Sequence, residues 1–341
     1  MANMNVEKKI EAFSALGHLI RNFINTPSFD NLAQQIQNGN NWFTPVQVRN
    51  AFQEIGAYLT SEQLHEWMSG YDIPLTVARK KVGILMAGNV PAVGFHDLLS
   101  VVMVGHDAYV KLSTADAVSI RWIVNELKEI APELAATIHF QDRLNGMDAY
   151  LATGSDNSSR YFDYYFGKYP HIIRKNRTSI AVLDGNENQE DFKELGQDIF
   201  QYYGLGCRNV SKLFVPSVDL LQSMLDGLQF FEGVGDHHKY FNNYEYNKSI
   251  LLVNKEPHLD NGFLLVRESP ELVSPISMIY YEIYTNQENL HARIDDLAAK
   301  IQVVVSKNGW FPGSIPFGKA QCPTLQDYAD QIDTVDFLLQ L

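Results

Sequence analysis

Between residues 82 and 215 the sequence alternates short, unbroken apolar runs with segments of helical periodicity, and that alternation leaves few folds open. Val82-Gly-Ile-Leu-Met-Ala87 is apolar throughout, the pattern of a strand buried on both faces. Residues 92–104 then read as a helix, 108–112 as a strand, 117–130 as a helix stopped near Pro132, and 136–140 and 147–153 as strands. A helix through Tyr161 and Tyr165 follows, then a strand at 179–183. Phe192, Leu195, Ile199 and Tyr203 mark a helix that leads to a strand at 210–215. This order predicts an α/β domain with a mostly parallel sheet, whose ligands bind beyond the carboxyl ends of the strands.

The flanks are patterned differently. Residues 1 to about 70 read as helices. Ile10, Phe13, Leu16, Leu19 and Ile20 share one face, Thr44-Pro45 opens a second helix, and Ser61 begins a third. Trp42, Phe43 and Trp67 read as packing residues. After residue 215 the alternation loosens. Residues 220–228 and 289–299 read as helices, and 248–253, 262–266, 276–284 and 301–306 as strands.

A chain of 341 residues is long enough for two domains with their own cores. No apolar run reaches membrane-spanning length, because His96 and Asp97 interrupt the longest one, and no signal peptide is evident. A cytoplasmic location is expected. Two cysteines, Cys207 and Cys322, cannot build a disulfide framework. The net charge of −13 argues against nucleic acid as a partner, since neutralising phosphates needs a basic face. His237-His238 read as strand residues pointing to opposite faces, with no further ligands nearby, so no metal is expected.

Chemistry concentrates at Cys207. Gly204 and Gly206 punctuate a turn between the helix and the strand that flank it. A cysteine there is either a thiolate nucleophile, with backbone N–H groups to hold an oxyanion, or a small hydrophobe packed behind the helix. The domain boundary is placed at this turn: 1–204 for the helices and cofactor domain, 205–318 for the thiol domain, and 319–341 as a C-terminal segment. The carboxyl ends of the predicted strands carry Gly88-Asn89-Val90-Pro91, Lys111-Leu112-Ser113 and Thr153-Gly154-Ser155. No G-x-G-x-x-G fingerprint is present. Singly, Asn89 fits a turn residue, Lys111 a surface lysine and Gly154-Ser155 a helix cap.

Taken in order with Gly-Leu-Gly-Cys207-Arg, these motifs resemble the aldehyde dehydrogenase superfamily, and within it the acyl-CoA reductases of the LuxC fatty-acid reductase type. The resemblance spans about residues 82–216 and extends more weakly through Ser274-Pro-Ile-Ser and Ile315-Pro-Phe-Gly318. It implies an α/β fold with a Rossmann-type parallel-sheet cofactor domain and a second α/β catalytic domain. It implies Cys207 as nucleophile and Asn89 as the side-chain donor to the thioester oxyanion. Lys111 and Ser113 would lie at the adenosine ribose, Thr153, Gly154 and Ser155 at the cofactor diphosphate, and Glu271 at the nicotinamide ribose.

The chain departs from the family in three ways. It is shorter than most aldehyde dehydrogenases. The stretch matching the water-activating glutamate is Pro170-His-Ile-Ile-Arg174, which has no acid and offers only His171 as a base. The acid that often follows the lysine is replaced by Ser113-Thr114. The expected function is therefore reduction of an acyl-CoA, with CoA as part of the substrate, to the aldehyde by NADPH, with NADH also usable. The alternatives are an NAD-dependent aldehyde dehydrogenase and a non-catalytic protein that keeps the fold. Self-association is left open.

Overall fold

The computed structural model describes residues 4–74, 78–154 and 156–341, with the backbone only for 156–159. The chain forms two compact units, Met1–Asn176 with Thr324–Leu341, and Arg177–Pro323. The boundary expected at residue 204 falls inside the second unit. The helix Gln189–Phe200 packs there on the helix Asp219–Leu228, and its Asp198 and Ile199 carbonyls accept from the Asn209 side chain beyond the turn.

In the first unit, the helices Val6–Phe23, Pro27–Gly39, Pro45–Tyr58 and Ser61–Ser69 precede the sheet. Pro27 and Pro45 occupy first turns, where a missing N–H costs nothing, and the Thr60 side chain accepts from Gln63 N–H. Ile10, Phe13, Leu16 and Ile20 are buried, as are Phe43 and Trp67. The strands are β1 (Lys81–Leu85), β2 (Asp107–Lys111), β3 (Ile138–Phe140), β4 (Ala149–Thr153) and β5 (His171–Arg174). They form a parallel sheet in the order β3-β2-β1-β4-β5. From β1 the chain steps outward to β2 and β3, then returns to the other side of β1 for β4. The strand order therefore reverses between β1 and β4, the place where open α/β sheets leave a ligand crevice. β5 was not expected, since its short run after Pro170 lacks a clear strand period.

The C-terminal segment completes this unit. Trp67 Nε1 donates to Tyr328 Oη at 2.7 Å, His106 Nε2 lies 3.0 Å from the Leu338 carbonyl, and Arg174 Nη2 donates to Thr334 Oγ1 at 2.9 Å. Arg174 is buried and pairs with Asp97 at 2.6 Å.

In the second unit, β6 (Thr178–Val182), β7 (Val210–Val215), β8 (Leu259–Asp260), β9 (Leu265–Glu268), β10 (Met278–Ile283), β11 (Ile301–Ser306) and β12 (Ile315–Pro316) form one sheet. Its order is β12-β11-β6-β7-β10-β9-β8, parallel except for the antiparallel β8–β9 pair. The strand expected at 248–253 is instead the last part of the helix His238–Asn254. Tyr240, Tyr244, Asn247 and Leu251 turn inward at helical spacing, while Leu252 and Val253 are exposed, so the apolar run does not mark a buried strand. The two histidines likewise sit at a helix start, where the His237 side chain accepts from Tyr240 N–H. No helix among the described residues is long and apolar enough to cross a membrane.

The Arg174–Asp97 pair yields a stability prediction. Arg174→Met leaves a largely buried carboxylate without its cation, and the expected loss is about 3–5 kcal/mol in urea unfolding. Adding Asp97→Leu should recover part of that loss. A single-variant loss of surface size, below about 1 kcal/mol, would contradict the pair's role.

Candidate functional site

In the first unit the sequence-predicted residues gather at the carboxyl edge of the sheet. β1 and β2 stay linked one step past β1, where Met86 N–H donates to the Lys111 carbonyl at 3.2 Å. Two residues later Gly88 permits a close approach: a Cβ there would stand 2.2 Å from Ser113 Oγ. Ser113 can close over this loop only because the side chain is missing. Its hydroxyl accepts from Ala115 N–H at 3.3 Å. Asn89 follows in an exposed bend, Lys111 ends β2 exposed, and Thr153 ends β4 half-buried. Ser155 lies outside the described residues.

Two charged groups set these loop positions. Asp116, the first acid after Lys111, does not face the loop mouth. It is buried, and its Oδ2 accepts from Ala92 N–H at 2.8 Å, in a turn where Ala92 adopts φ +56°. Burial pushes its carboxyl up to about 7. Arg174 reaches Thr153 Oγ1 at 3.4 Å, and its carbonyl accepts from Gly154 N–H. His171 begins β5, so it lies at the opposite end of this parallel sheet from Lys111 and Thr153, with Nδ1 2.7 Å from the Tyr169 carbonyl.

In the second unit the cysteine turn is held from several sides. After the helix Gln189–Phe200, Tyr202, Tyr203 and Gly204 are all left-handed, at φ +53°, +57° and +77°. That conformation costs about 1–2 kcal/mol for each non-glycine residue, so other contacts must impose it. Asn209 supplies them. Its Nδ2 lies 3.1, 3.3 and 2.7 Å from the carbonyls of Asp198, Ile199 and Gln201, and its Oδ1 accepts from Gly206 N–H at 2.8 Å. The Asn209 N–H closes the turn on the Gly206 carbonyl, and Ser179 Oγ donates to the Cys207 carbonyl at 3.0 Å. Cys207 is half-buried at the tip and Cys322 is exposed. Gly206 N–H is committed to Asn209, which removes it from the possible oxyanion donors.

Two loops flank this turn. Asp198, buried in the helix before it, accepts from Gly318 N–H at 2.7 Å and Ala320 N–H at 2.9 Å. Arg208, beside the cysteine, donates through Nε to the Ala320 carbonyl. The loop after β12 is therefore tied to both sides of the turn. The loop carrying Glu271 is tied to β7, four and five residues beyond Cys207. Ser211 Oγ donates to the Leu272 carbonyl at 3.0 Å and Lys212 Nζ to the Glu271 carbonyl at 3.3 Å. The Glu271 residue itself is exposed. Among the described residues, no group of three His, Cys, Asp or Glu could hold a metal ion.

Sequence reasoning missed Asn209, Asp198, Arg174 and Lys212. Lys212 alone left a signal, as a charged residue inside the apolar run of β7. The others pair with residues far away in the chain, or read as ordinary turn residues.

Asp198 gives this turn a pH dependence. Burial pushes its carboxyl from 3.8 up to about 7, against the opposing pull of the Ala320 and Gly318 N–H groups. The raised folded value means that ionisation works against the fold. The contribution is complete below about pH 4 and is lost as pH rises through about 7. The Tm advantage of the wild type over Asp198→Asn should therefore shrink between about pH 5 and about pH 8. A pH-independent difference would show that Asp198 does not titrate in this range.

No protein-family model matches the sequence, and no curated protein matches it significantly. Solved structures do match the fold. Aldehyde dehydrogenase 21 from Physcomitrella patens, in complex with the reaction product succinate, aligns with TM-score 0.68 and 11% identity over 99% of this chain and 85% of its own. A Mycobacterium tuberculosis aldehyde dehydrogenase complexed with NAD+ aligns at 0.61 and 11% over 89% of this chain and 73% of its own. A cysteine-to-alanine mutant of aldehyde dehydrogenase C from Pseudomonas syringae, complexed with NAD+ and octanal, aligns at 0.63 and 10% over 90% and 73%. Identities this low establish architecture alone. With its parallel sheet in the first unit and mixed sheet in the second, the chain has an aldehyde dehydrogenase-like fold.

Proposed function

We propose that this protein is an NADPH-dependent acyl-CoA reductase, of the LuxC-type kind, that works through a thioester on Cys207. The observation that carries the reading is the cysteine turn: a half-buried thiol at the tip of a strained arch, with Asn209 and Ser179 fixing the backbone around it. Such a turn holds a nucleophile in one place, and positioning is one substantial part of the advantage of an enzyme-bound reactant. The likeness to structures whose proteins bind NAD+ and an aldehyde supports the same chemical class.

The residues of the first unit fit a nicotinamide cofactor. The strand order reverses at β1 and β4, Gly88 lets the β1 loop close against Ser113, and Lys111 offers a cation at the end of β2. Lys111 and Ser113 would hold the adenosine ribose and Thr153, Gly154 and Ser155 the diphosphate; in the second unit, Glu271 is assigned by the resemblance to the nicotinamide ribose. When bound, the cofactor supplies the hydride that takes the acyl group to the aldehyde level.

The protein's own part begins with the Cys207 thiolate attacking the acyl carbonyl. Asn89 and the cysteine's backbone N–H take up the oxyanion charge, and the carbon–sulfur bond to CoA breaks, releasing CoA as its thiol after it gains a proton. After reduction, the hemithioacetal on Cys207 collapses to free aldehyde and restores the thiolate. The net balance is acyl-CoA, NADPH and a proton giving aldehyde, CoA and NADP+. Water competes for the thioester only if a base activates it. The stretch 170–174, which matches the family's water-activating glutamate, contains no acid.

Purified protein should oxidise NADPH in the presence of acyl-CoAs of several chain lengths, with CoA released in equal amount. Cys207→Ala should abolish this, and Cys322→Ala should change it little. Oxidation of aldehydes with NAD+ and no dependence on CoA would favour an aldehyde dehydrogenase instead. Equal loss in the two cysteine variants, at unchanged folding, would remove Cys207 as nucleophile.

NADPH should serve at least as well as NADH. The acid that would repel a 2′-phosphate is missing from the Ser113-Thr114 position, and Asp116 is turned into the protein toward Ala92. Lys111 is exposed, so its contact with the phosphate is worth about 1 kcal/mol, or about fivefold in kcat/KM. Lys111→Ala should lower kcat/KM for NADPH by about that factor more than for NADH, and an equal loss for both cofactors would reject the phosphate contact. A tenfold preference for NADH in the wild type would reject the assignment.

A further inference from the structure

Lys212 is fully buried in the middle of β7, a position where a lysine is costly unless its ammonium is satisfied. Its two carbonyl partners lie in one short stretch, and its carboxylate partner comes from β10. Nζ donates to the carbonyls of Ser269 and Glu271 and pairs with Glu282 at 3.1 Å. Arg293 takes up the same Glu282 carboxylate, with Nε at 3.0 Å and Nη2 at 3.2 Å, and its Nη2 also donates to the Pro270 carbonyl at 2.8 Å. Ser211, next to Lys212, holds the Leu272 carbonyl at 3.0 Å. Four successive carbonyls, from Ser269 to Leu272, are thus captured by three side chains, and the two cations among them are bridged by one carboxylate.

A loop seldom has every carbonyl in a row held by charged or hydroxyl donors. Hydrogen bonds to charged groups are stronger than those between neutral groups, so this backbone is far less free than an ordinary connection between strands. The strand supplying two of the donors begins three residues after Cys207. A displacement of the cysteine strand therefore carries the Glu271 loop with it.

We infer that Lys212 is a positioning residue, which with Arg293 and Glu282 fixes Glu271 in register with the cysteine strand for cofactor binding. This rests on the reading of Glu271 as the nicotinamide-ribose contact. The cation network holds only the backbone of Glu271, and the exposed side chain is left to reach a ligand. Neither cation needs to touch substrate or cofactor for this. A loop displaced by about 1 Å is enough to lose binding geometry, with effects up to about a hundredfold.

The test compares Glu271→Ala, Lys212→Met and Arg293→Gln in the full-length protein. The readouts are the Kd for NADPH by fluorescence titration, the iodoacetamide alkylation rate of Cys207, and amide exchange across 269–274. All three variants should weaken NADPH about tenfold or more while Cys207 alkylation stays within about twofold. Lys212→Met and Arg293→Gln should also speed exchange across 269–274, and Glu271→Ala should not. If Glu271→Ala weakens NADPH but the two cation variants bind it normally, the positioning role is overturned. If Glu271→Ala itself leaves binding intact, the ribose assignment fails and the positioning role falls with it. Arg293 is partly exposed, so its variant carries the test should Lys212→Met fail to fold. None of these readouts requires turnover, so a protein that reduces no acyl-CoA still answers the question.

Discussion

Asn209 brings one primary amide into a buried corner, where three backbone carbonyls and one N–H converge on it. Groups left unpaired in such a place cost about 1–3 kcal/mol each. The helix before the turn could therefore not end where it does without this side chain, and the left-handed arch of Tyr202, Tyr203 and Gly204 would lose its anchor. Ring contacts add to the constraint, since Tyr203 lies 4.4 Å from His237 between centroids. The position of Cys207 is a consequence of these contacts. A thiol at the same place in sequence, on an unanchored loop, would sample many orientations.

A related device, cationic where Asn209 is an amide, holds other backbone segments. Long cationic side chains reach backbone carbonyls within their own unit. Lys9 donates to the Met103 carbonyl, Arg208 to that of Ala320, Lys212 to Ser269 and Glu271, and Arg293 to Pro270. Such bonds differ from surface ion pairs, which contribute little because water competes for both charges. Here the carbonyl is already partly withdrawn from water and the cation satisfies an acceptor that would otherwise go unpaired. Lys9 bears the mark of this environment, with burial holding its ammonium down at about 8. Loops built this way gain definition without needing a large apolar face of their own.

The strands that organise the first unit were legible because buried parallel strands leave an unmistakable apolar run, and Val82 to Leu85 is one. Of the two glycines that mark the turn at Cys207, Gly204 does adopt left-handed backbone, but Tyr202 and Tyr203 before it adopt the same conformation with nothing in their residue type to announce it. Residues 248–253 misled for the opposite reason. Ile250, Leu251, Leu252 and Val253 look like a strand, yet only Leu251 is buried on its helix. Composition cannot distinguish an exposed apolar run from a buried one. The domain boundary was lost to long-range pairing, since nothing near Thr334 or Tyr328 announces partners at Arg174 and Trp67. Asn209 and Asp198 were invisible on the same ground. Each reads locally as a turn or helix residue, and only the folded chain reveals how many backbone groups depend on it.

The first unit is interrupted in sequence, while the second is continuous from Arg177 to Pro323. A ribosome presents these pieces in a fixed order. At about 5–20 residues per second, roughly ten to thirty seconds separate the emergence of Arg174 from that of Thr334. Throughout that interval Trp67, His106 and Arg174 stand without the partners that the tail later brings. The second unit can close its sheet before then. The part of the protein that starts first is thus finished last, and its Trp67, His106 and Arg174 reach their final partners only when the tail arrives.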